Sequence, residues 1–579
     1  MTYTRPLQWV SMTTAVLACL WFTTALLDPF NIPKLAILVV GAAVLIGMLG
    51  GFAKSWFKRS EWPMWGGIGI FVLGLTAAAI ASNQNLYRTL WGAWARNDGW
   101  LAYASLSVIM LAVAVAFRGR DTRIGLWALM GVGVFEVGYG LLQTTGHDPV
   151  QWANGYNPIL GTVGNPDFAS ALLGICAVAF FWGALEPSLG IVLRAGSAVF
   201  GALAVMLTVL SHSVQGTLAY GAGFAVLIAG WLSAPERRAS LRRLLTPYLI
   251  IVAIAALVAM VGLTDRGPLR HIMYKQNLVN RTYYWRAGWK MFTSHPIFGV
   301  GIDAFGDYYR IFRLPEQVTA TGIVTISNAA HSIVFQMIAT GGLAYFGTYV
   351  LLQAVVVWRG VVALRSGENR LLVSGLLGGW LAFLLQSLFS IDQLGLTVWG
   401  WVIGGLVIGV SYAPVRAGVS KSANKRAHSV SHASPMPALV ASVVLGLGAV
   451  LLVSGPLSTD GNIRTVISYG YDTKNPNLAA QTAIKQAVLA AASGAQDPYW
   501  RAQAISKLYQ IGAIDDGIKF AESSAKMFPM DATLWQLAAT ALEQTGHAKL
   551  ATPWRARTVY LDPLNTDYAK LLASDKAAK

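Results

Sequence analysis

Cationic and aromatic side chains are concentrated in one polar segment of an otherwise apolar chain. Residues 266–330 lie between two long apolar stretches and contain eight Lys or Arg against three Asp or Glu. Cations among Tyr and Trp at a bilayer surface suit an anionic substrate carried by a lipid, because guanidinium groups bind phosphate oxygens through paired hydrogen bonds. His331 follows at the mouth of the next apolar stretch and can exchange a proton. This segment therefore favours chemistry over binding alone.

Arg281 is the cation in this segment with the most unusual predicted environment. The spacing predicts a helix over residues 278–292. Arg281 shares one face of that helix with a stripe of small and apolar residues, Leu278, Trp285, Gly288, Trp289 and Phe292. An unpaired cation on an apolar face is costly, so we expect Arg281 to bind a lipid pyrophosphate. Arg286 and Lys290 point away from the stripe and are weaker substrate-binding candidates, because such cations also extend to lipid headgroups.

His331 is the candidate catalytic base. Ser327 and Asn328 predict the N-cap of the tenth apolar helix, which would place His331 in its first turn. There the helix macrodipole disfavours the imidazolium ion and keeps the ring neutral. A neutral imidazole can accept a proton from an attacking hydroxyl, an effect worth ~10²–10⁴ in rate. A lone histidine is more often structural, so the neighbouring cations are what favour a catalytic role.

Three further polar segments are predicted on the same side of the membrane. Residues 89–100 place Arg96 among aromatic side chains, residues 161–168 form a Gly-Asn-Pro turn, and residues 211–216 bring Gln215 between two apolar spans. Irregular polar backbone at membrane depth is tolerated only where it lines a protein interior or a wet cavity. We therefore expect one polar pocket that opens outward, with Arg96 and Gln215 among its substrate-binding residues.

Several kinds of chemistry are excluded by missing motifs. The chain has no GxxxxGK[ST] phosphate-binding loop, no Asp-x-Asp pair and no HExxH. An ATP-driven pump and a metal-dependent nucleotide-sugar transferase are therefore not expected, and we predict neither a cofactor nor a metal. His428 and His432 are four residues apart but have no third ligand near them in the sequence.

The composition is that of a polytopic helical membrane protein. Hydrophobic residues make up 55% of the chain, charged residues only 12%, and the mean hydropathy is +0.52. Thirteen apolar spans are predicted, the first over Val10–Leu27. Cys19 and Cys176 both fall inside apolar spans, so no disulfide framework is expected.

The basic residues predict the orientation of the chain. With the N-terminus in the cytoplasm, the inner loops hold eighteen Lys or Arg and the short outer loops hold only Lys34, Arg88 and Arg96. The net charge of +17 is then mainly a topological signal and does not indicate nucleic-acid binding. The inner loops also favour contact with anionic membrane lipids.

The predicted fold class is all-α, a membrane bundle of about twelve core helices with one extra helix and a C-terminal domain of helical hairpins. Residues 1–412 form the bundle, including the long outer loop 266–330. A flexible cytoplasmic linker follows over 413–436, an additional transmembrane helix over 437–455, and an extracytoplasmic repeat domain over 456–579.

An offset of thirty-four residues predicts that the C-terminal domain consists of repeats. It relates three pairs of equivalent positions, Leu508 and Leu542, Gly512 and Gly546, and Pro529 and Pro563. Thirty-four is the period of tetratricopeptide helix hairpins. Such arrays usually bind a protein or peptide, so we expect a protein partner here.

The polar segments together resemble the O-antigen ligase / Wzy polymerase superfamily of bacterial membrane glycosyltransferases. The resemblance rests on Arg281 and Trp285 ahead of HPIFGVGIDAF, on AHSIVFQMIATGG, and on GTVGNPDF and WARNDGW upstream. It covers roughly residues 80–412. Three features depart from the family pattern: Ser332 follows the histidine where many members have Asn, the acidic residue that many members have near Thr340 is missing, and residues 213–216 lack an arginine.

The resemblance implies transfer of a glycan from an undecaprenyl-pyrophosphate carrier to an acceptor hydroxyl at the outer face of the bacterial inner membrane. It places Arg281 on the pyrophosphate and His331 on the acceptor hydroxyl, with Arg286 and Arg96 as further pyrophosphate partners. The acceptor is a glycan, a lipid or a protein, the last as in protein O-oligosaccharyltransferases. Two rival interpretations are a transporter of lipid-linked glycan and a passive anchor for a scaffold built on the repeats.

Overall fold

The computed structural model describes residues 4–51, 61–82, 84–152, 158–234, 238–270, 276–366, 369–412 and 436–577. Throughout these ranges the regular structure is helical, which confirms the predicted all-α class. The predicted linker 413–436, with His428 and His432, lies outside the described residues except for Met436.

Within the described ranges, the first half of the chain contributes eleven α-helices. Their bounds are α1 Thr4–Leu20, α2 Asn31–Gly51, α3 Trp62–Ala81, α4 Leu86–Trp91, α5 Trp100–Ala116, α6 Arg123–Thr144, α7 Pro166–Leu185, α8 Ile191–Leu210, α9 Val214–Ser233, α10 Ala239–Arg242 and α11 Leu245–Leu263. The outer loop and the rest of the bundle follow as α12 Gln276–Ser294, α13 Phe305–Phe312, α14 Pro315–Thr321, α15 Ile333–Arg365, α16 Arg370–Leu388, α17 Leu394–Val410 and α18 Met436–Ile467.

The C-terminal helices are α19 Leu478–Ser493, α20 Pro498–Gln510, α21 Ile514–Met527, α22 Ala532–Gln544, α23 Ala548–Leu561 and α24 Thr566–Ala577. From α20 onward, corresponding helices begin thirty-four residues apart. Gly512 and Gly546 occupy equivalent turns, both with φ of 79°. The period seen in the sequence is therefore a period of helices. Their assignment as tetratricopeptide repeats stays a prediction.

The chain is a multi-pass membrane protein. Ten helices in the described ranges are long and apolar enough to cross a bilayer. The other three predicted spans are also helices, but α1, α5 and α17 have only 17 residues each. Helix α17 lies at the centre of the bundle, where its residues are buried from Leu394 through Gly409. Being apolar on every side, it can be buried on every side.

The first span ends earlier than the sequence predicted. Helix α1 stops at Leu20, seven residues before the predicted end at Leu27. Near the end of α1, the carbonyl oxygens of Cys19 and Trp21 accept hydrogen bonds from Lys34 Nζ, and the N–H group of Thr23 bonds to the carbonyl oxygen of Pro29. These contacts take backbone groups that a longer α1 would need, while Asp28 caps the start of α2.

The additional transmembrane helix is longer than predicted. Helix α18 continues to Ile467, twelve residues beyond the predicted end at 455. Its extension carries the fully buried Asp460, which accepts hydrogen bonds from the indole N–H groups of Trp94 and Trp500, both at 2.8 Å. The C-terminal helices therefore pack directly against the loop before α5, on the face of the bundle that carries residues 276–330.

Candidate active site

Three segments that are far apart in the sequence meet at one carboxylate. Arg281, on α12, donates a hydrogen bond from Nη2 to Asp167 Oδ2 at 3.0 Å, and its Nη1 donates to the carbonyl oxygen of Phe389. Gln215, at the start of α9, donates from Nε2 to the same Asp167 oxygen, also at 3.0 Å. Arg281 and Gln215, both predicted as site residues, are therefore joined through a third residue.

The structure corrects the expected environment of Arg281. The helix over 276–294 confirms the predicted one, but its cation is not unpaired, because Asp167 and a carbonyl oxygen satisfy it. The Arg281 side chain is 11% exposed, whereas the Asp167 side chain is 38% exposed. The guanidinium is thus held in place while its carboxylate partner faces solvent. An incoming anion can replace or share that partner.

Helix α12 also differs from the predicted stripe at one position. Trp289 is 52% exposed, while Ala287, Gly288 and Met291 lie on the buried face. The indole of Trp285 stacks on the ring of Phe335 with centroids 5.4 Å apart. Helix α12 is therefore fixed against α15, and this contact holds Arg281 beside the segment that carries His331.

His331 lies just before a helix and not in its first turn. Helix α15 begins at Ile333 with Ser332 at the N-cap, so the predicted cap at Ser327 and Asn328 is wrong. His331 itself has the left-handed φ of 51°. Its ring lies 5.5 Å from the ring of Tyr284, centroid to centroid.

The imidazole of His331 is neutral at pH 7, as expected, but for a different reason. Burial and the nearby charges of Arg281 and Arg96 lower its pKa to about 3. Desolvation and neighbouring cations both disfavour the imidazolium ion. Arg281 and Arg96 donate to the carbonyl oxygens of Phe389 and Asp392, three residues apart, and Tyr284 on the helix of Arg281 contacts His331. The structure therefore brings His331, Arg281 and Arg96 into one neighbourhood.

A break in helix α15 fixes the segment on the other side of the site. At Gly342 the backbone leaves the helical conformation, with φ of 58°. Residues 296–301 fill the break: Val300 and Gly301 donate N–H groups to the carbonyls of Ala339 and Thr340, and the N–H groups of Leu343 and Ala344 bond to Pro296 and Ile297. These backbone groups would otherwise be unsatisfied at a helix interruption. The motifs HPIFGVG and IATGG are therefore joined by backbone hydrogen bonds at the break in α15.

Arg96 lies in a buried cluster of carboxylates. It donates to Asp98 Oδ2 at 3.4 Å and to the carbonyl oxygen of Asp392 at 3.0 Å. Asp303 accepts hydrogen bonds from the backbone N–H groups of Ala93 and Asp98, and so fixes the loop that carries Arg96. Burial raises the pKa of Asp98 well above its usual range and also raises that of Asp303 and Asp392.

Arg286 and Lys290 lie on a different face of α12. Both are exposed, and Arg286 approaches Glu316 at 3.8 Å. They line a cavity of about 520 Å³ whose other walls are mainly apolar, Thr282, Trp285, Trp289, Leu314 and Phe335. The predicted site residues thus form two groups, with Arg281, His331, Gln215 and Arg96 in one and these two cations in the other.

The sequence reasoning missed the acidic partners. Asp167, Asp303 and Asp392 were not among the predicted site residues, yet each contacts a segment that carries one of them. A signal was present for Asp167, which belongs to the quoted motif GTVGNPDF and follows the Asn165 N-cap of α7. Asp392 lies in a short turn between two apolar helices and gave no signal of its own.

A comparison with known protein families finds a match that includes Arg281 and His331. An O-antigen ligase family model matches residues 198–350. The match covers about a quarter of the chain, from within α8 into α15, and includes Gln215, Arg281, His331 and the break at Gly342. It supports the O-antigen ligase / Wzy family and, in general terms, a membrane glycan ligase or polymerase. Arg96 and Asp167 lie outside the matched range. No curated protein matches the chain.

Proposed function

We propose that this chain transfers a glycan from an undecaprenyl-pyrophosphate carrier to an acceptor hydroxyl. The observation that carries the proposal is the convergence of Arg281, Gln215 and a neutral His331 within the range that the O-antigen ligase family model matches. We place the reaction at the outer face of the bacterial inner membrane, without a metal or nucleotide cofactor.

Arg281 would hold the donor pyrophosphate. Its guanidinium is fixed by Phe389 and Asp167, and only the carboxylate side is open to solvent. A pyrophosphate oxygen would take the place of Asp167 and gain a charge-assisted hydrogen bond. The same contact stabilises the charge that develops when the sugar–phosphate bond breaks. Arg96, Arg286, Lys290 and Gln215 are the proposed secondary contacts of the donor.

His331 would act as the general base. The acceptor oxygen forms a bond to the anomeric carbon, the bond from that carbon to the pyrophosphate oxygen breaks, and the hydroxyl proton passes to the imidazole. Undecaprenyl pyrophosphate leaves with the bonding electrons. Attack opposite the leaving group inverts the anomeric centre.

The donor itself would make His331 a stronger base. In the free protein the imidazolium ion is disfavoured by burial and by the charges of Arg281 and Arg96. A pyrophosphate beside these arginines offsets their charge and so raises the pKa of His331. Proton transfer is then easiest when donor and acceptor are both bound.

The position of the C-terminal helices agrees with the proposed transfer of a glycan at the outer face. The C-terminal helices and the long outer loop lie on the same face of the bundle, because Arg313 on that loop pairs with Asp562 at 2.6 Å. We propose that both lie outside the cytoplasm, with residues 1–412 as the transferase bundle and residues 456–579 as a repeat domain that engages the acceptor or a partner protein.

The test uses the purified chain in nanodiscs with an undecaprenyl-pyrophosphate oligosaccharide, a cell-envelope extract and a chelator. We expect free undecaprenyl pyrophosphate and glycosylated product to form in equal amounts, and only when the extract is present. Mass spectrometry of the product then identifies a lipid, glycan or protein acceptor. Movement of intact donor across a membrane without bond cleavage would contradict the proposal and favour a transporter.

A further inference from the structure

A cavity of about 280 Å³ lies between the membrane bundle and the C-terminal helices. One wall comes from the loop before α5 and from residues 326–328, and the other from the first turns of α20 and α22. Asn328 is part of the lining and precedes His331 by three residues. The same short stretch of chain therefore carries part of the cavity wall and His331, and the cavity lies on the side of the C-terminal helices.

The charged side chains of the cavity include an incompletely satisfied arginine. Arg88 is 6% exposed and pairs with Asp307 at 2.8 Å and with Asp497 at 3.2 Å. Within the described part of the chain its Nε has no hydrogen-bond partner. A buried N–H without a partner is costly. Arg88 thus contributes a buried guanidinium, already paired with two carboxylates, to the wall of the cavity.

An aromatic pair forms another part of the lining. Trp94 and Tyr499 are stacked with ring centroids 3.8 Å apart and planes 5° apart. Trp94 belongs to the bundle and Tyr499 to α20, so the pair exists only when the C-terminal helices are docked. Rigid aromatic surfaces of this kind pack against the apolar face of a ligand while its polar edge is hydrogen-bonded elsewhere.

The charge balance disfavours an anion. Three carboxylates, Asp307, Asp497 and Asp531, line the cavity together with two guanidinium groups, Arg88 and Arg310. Asp531 Oδ1 accepts the N–H groups of Thr533 and Leu534, and no ion pair to Asp531 is found among the residues that the structure describes. Carboxylates accept hydrogen bonds from hydroxyls, and guanidinium groups donate to hydroxyl oxygens. A neutral ligand with several hydroxyl groups satisfies both.

We propose that this cavity binds a neutral sugar ring of the acceptor glycan and presents its hydroxyl toward His331. The inference rests on the proposed function and adds the acceptor class and the location of its subsite. Its volume of about 280 Å³ lies just below the range of about 300–1,000 Å³ typical of ligand sites, which suits a terminal sugar better than a long glycan. The C-terminal helices are then part of the acceptor site and not only a recruiting platform.

Ala502 allows the cavity to be filled without touching the catalytic residues. It lines the cavity from α20, so Ala502→Trp should block it. Ser506→Trp is the matched control, because Ser506 is exposed on the same helix and does not line the cavity. A second variant, Asp531→Asn, removes a charge but keeps an N-cap residue for α22, so it leaves the helix intact.

The probes are the methyl glycosides of glucose, galactose, mannose and N-acetylglucosamine, added to the full chain in nanodiscs without donor. Saturation-transfer NMR should show binding of one or more of them, lost in Ala502→Trp, retained in Ser506→Trp and about three- to tenfold weaker in Asp531→Asn. In the transfer assay, Ala502→Trp should raise the acceptor KM and leave the donor KM unchanged.

The outcomes separate this inference from the proposed function. Sugar binding that depends on the cavity, with no glycan transfer by the wild type, supports the subsite and refutes the transferase. Normal transfer with an unchanged acceptor KM in Ala502→Trp and Asp531→Asn overturns the subsite alone. The subsite is also overturned if none of the four glycosides binds and the acceptor KM is unchanged in the variants. It is likewise overturned if a Ser- or Thr-containing peptide displaces the glycosides and is itself the acceptor.

Discussion

Asp167 and Arg281 are joined by a 3.0 Å hydrogen bond between the first turn of α7 and the second turn of α12. The carboxylate side chain is more than three times as exposed as its buried partner, at 38% against 11%. Asp167 is therefore both the residue that holds Arg281 in position and the residue with which a donor pyrophosphate must compete.

Replacing Asp167 should strengthen donor binding. In Asp167→Asn the competing charge is gone, so we expect the donor Kd to fall about two- to fivefold, as for a partly exposed ion pair. Arg281→Gln should weaken donor binding about ten- to hundredfold, because charge-assisted hydrogen bonds are lost. Fluorescence titration of the nanodisc protein with donor measures both. The matched control is Glu316→Gln, an exposed carboxylate near Arg286 on another face of α12. A weaker donor complex in Asp167→Asn would show that the carboxylate only orders the site.

The acid limb of the pH profile should report the charges around His331. Activity requires the neutral ring, so it is lost as pH falls through the pKa of His331, which is about 3 in the free protein. We expect kcat/KM, which reports the free protein, to stay level from pH 7 toward about pH 4. We expect kcat to fall at a higher pH than kcat/KM does, because bound pyrophosphate offsets the arginine charges and raises the pKa of His331.

Removing the charge of Arg281 also tests whether neighbouring cations lower the pKa of His331. Arg281→Gln should raise the pKa of His331 toward the ordinary value of about 6.5, as followed by the NMR titration of its ring protons. Arg286→Gln is the control, since Arg286 is not among the charges that act on His331. An unmoved titration in Arg281→Gln would mean that burial alone keeps the ring neutral.

The joint between residues 296–301 and α15 should not tolerate a side chain at Gly342. There φ is 58°, and a Cβ would lie 2.5 Å from the backbone carbonyl carbon of Ile297. We expect Gly342→Ala to lower the free energy of unfolding by more than ~1 kcal/mol, since both strain and a backbone clash act. Gly347→Ala, in the same helix with open space around it, should be neutral. Thermal unfolding in nanodiscs compares the two, and equal stability would contradict the described joint.

A buried ion pair should keep the C-terminal helices docked. Arg313 and Asp562 are in contact at 2.6 Å, and their side chains are 0% and 1% exposed. Asp562→Ala leaves Arg313 buried without its charge partner, which typically costs about 3–5 kcal/mol. We expect faster amide exchange in α13 and in α20–α24. Asp567→Ala, whose partner Lys570 is exposed, serves as the control. Unchanged exchange in α13 would show that docking does not depend on this pair.

Much of the fold follows from the sequence because apolar length and helical periodicity are local properties. All thirteen predicted spans correspond to helices, and the helix around Arg281 was predicted to within about two residues at each end. The errors concern the ends of two helices, because long-range contacts determine where these helices end. Helix α1 is shortened because Lys34 binds the carbonyl oxygens of Cys19 and Trp21, and α18 is extended because Asp460 accepts hydrogen bonds from two distant indoles.

The site was less predictable because its contacts are long-range. Arg281 and His331 carried their own signals, a cation on an apolar face and a histidine at the start of a span. Their partners did not: Asp167 precedes Arg281 by 114 residues, and the charge of Arg96 reaches His331 across the fold. The docking of the C-terminal helices could not be predicted from the sequence for the same reason, since Asp562 pairs with Arg313 across 249 residues.

The most direct test of the account is the acceptor-dependent release of undecaprenyl pyrophosphate by His331→Gln. The matched control is His295→Gln, because His295 is an exposed histidine on the same outer loop. We predict that His331→Gln lowers kcat about 10²–10⁴-fold with little change in donor Kd, as expected for loss of a general base. His295→Gln should retain wild-type activity. Full release by His331→Gln would contradict the central claim, because the base would then lie elsewhere.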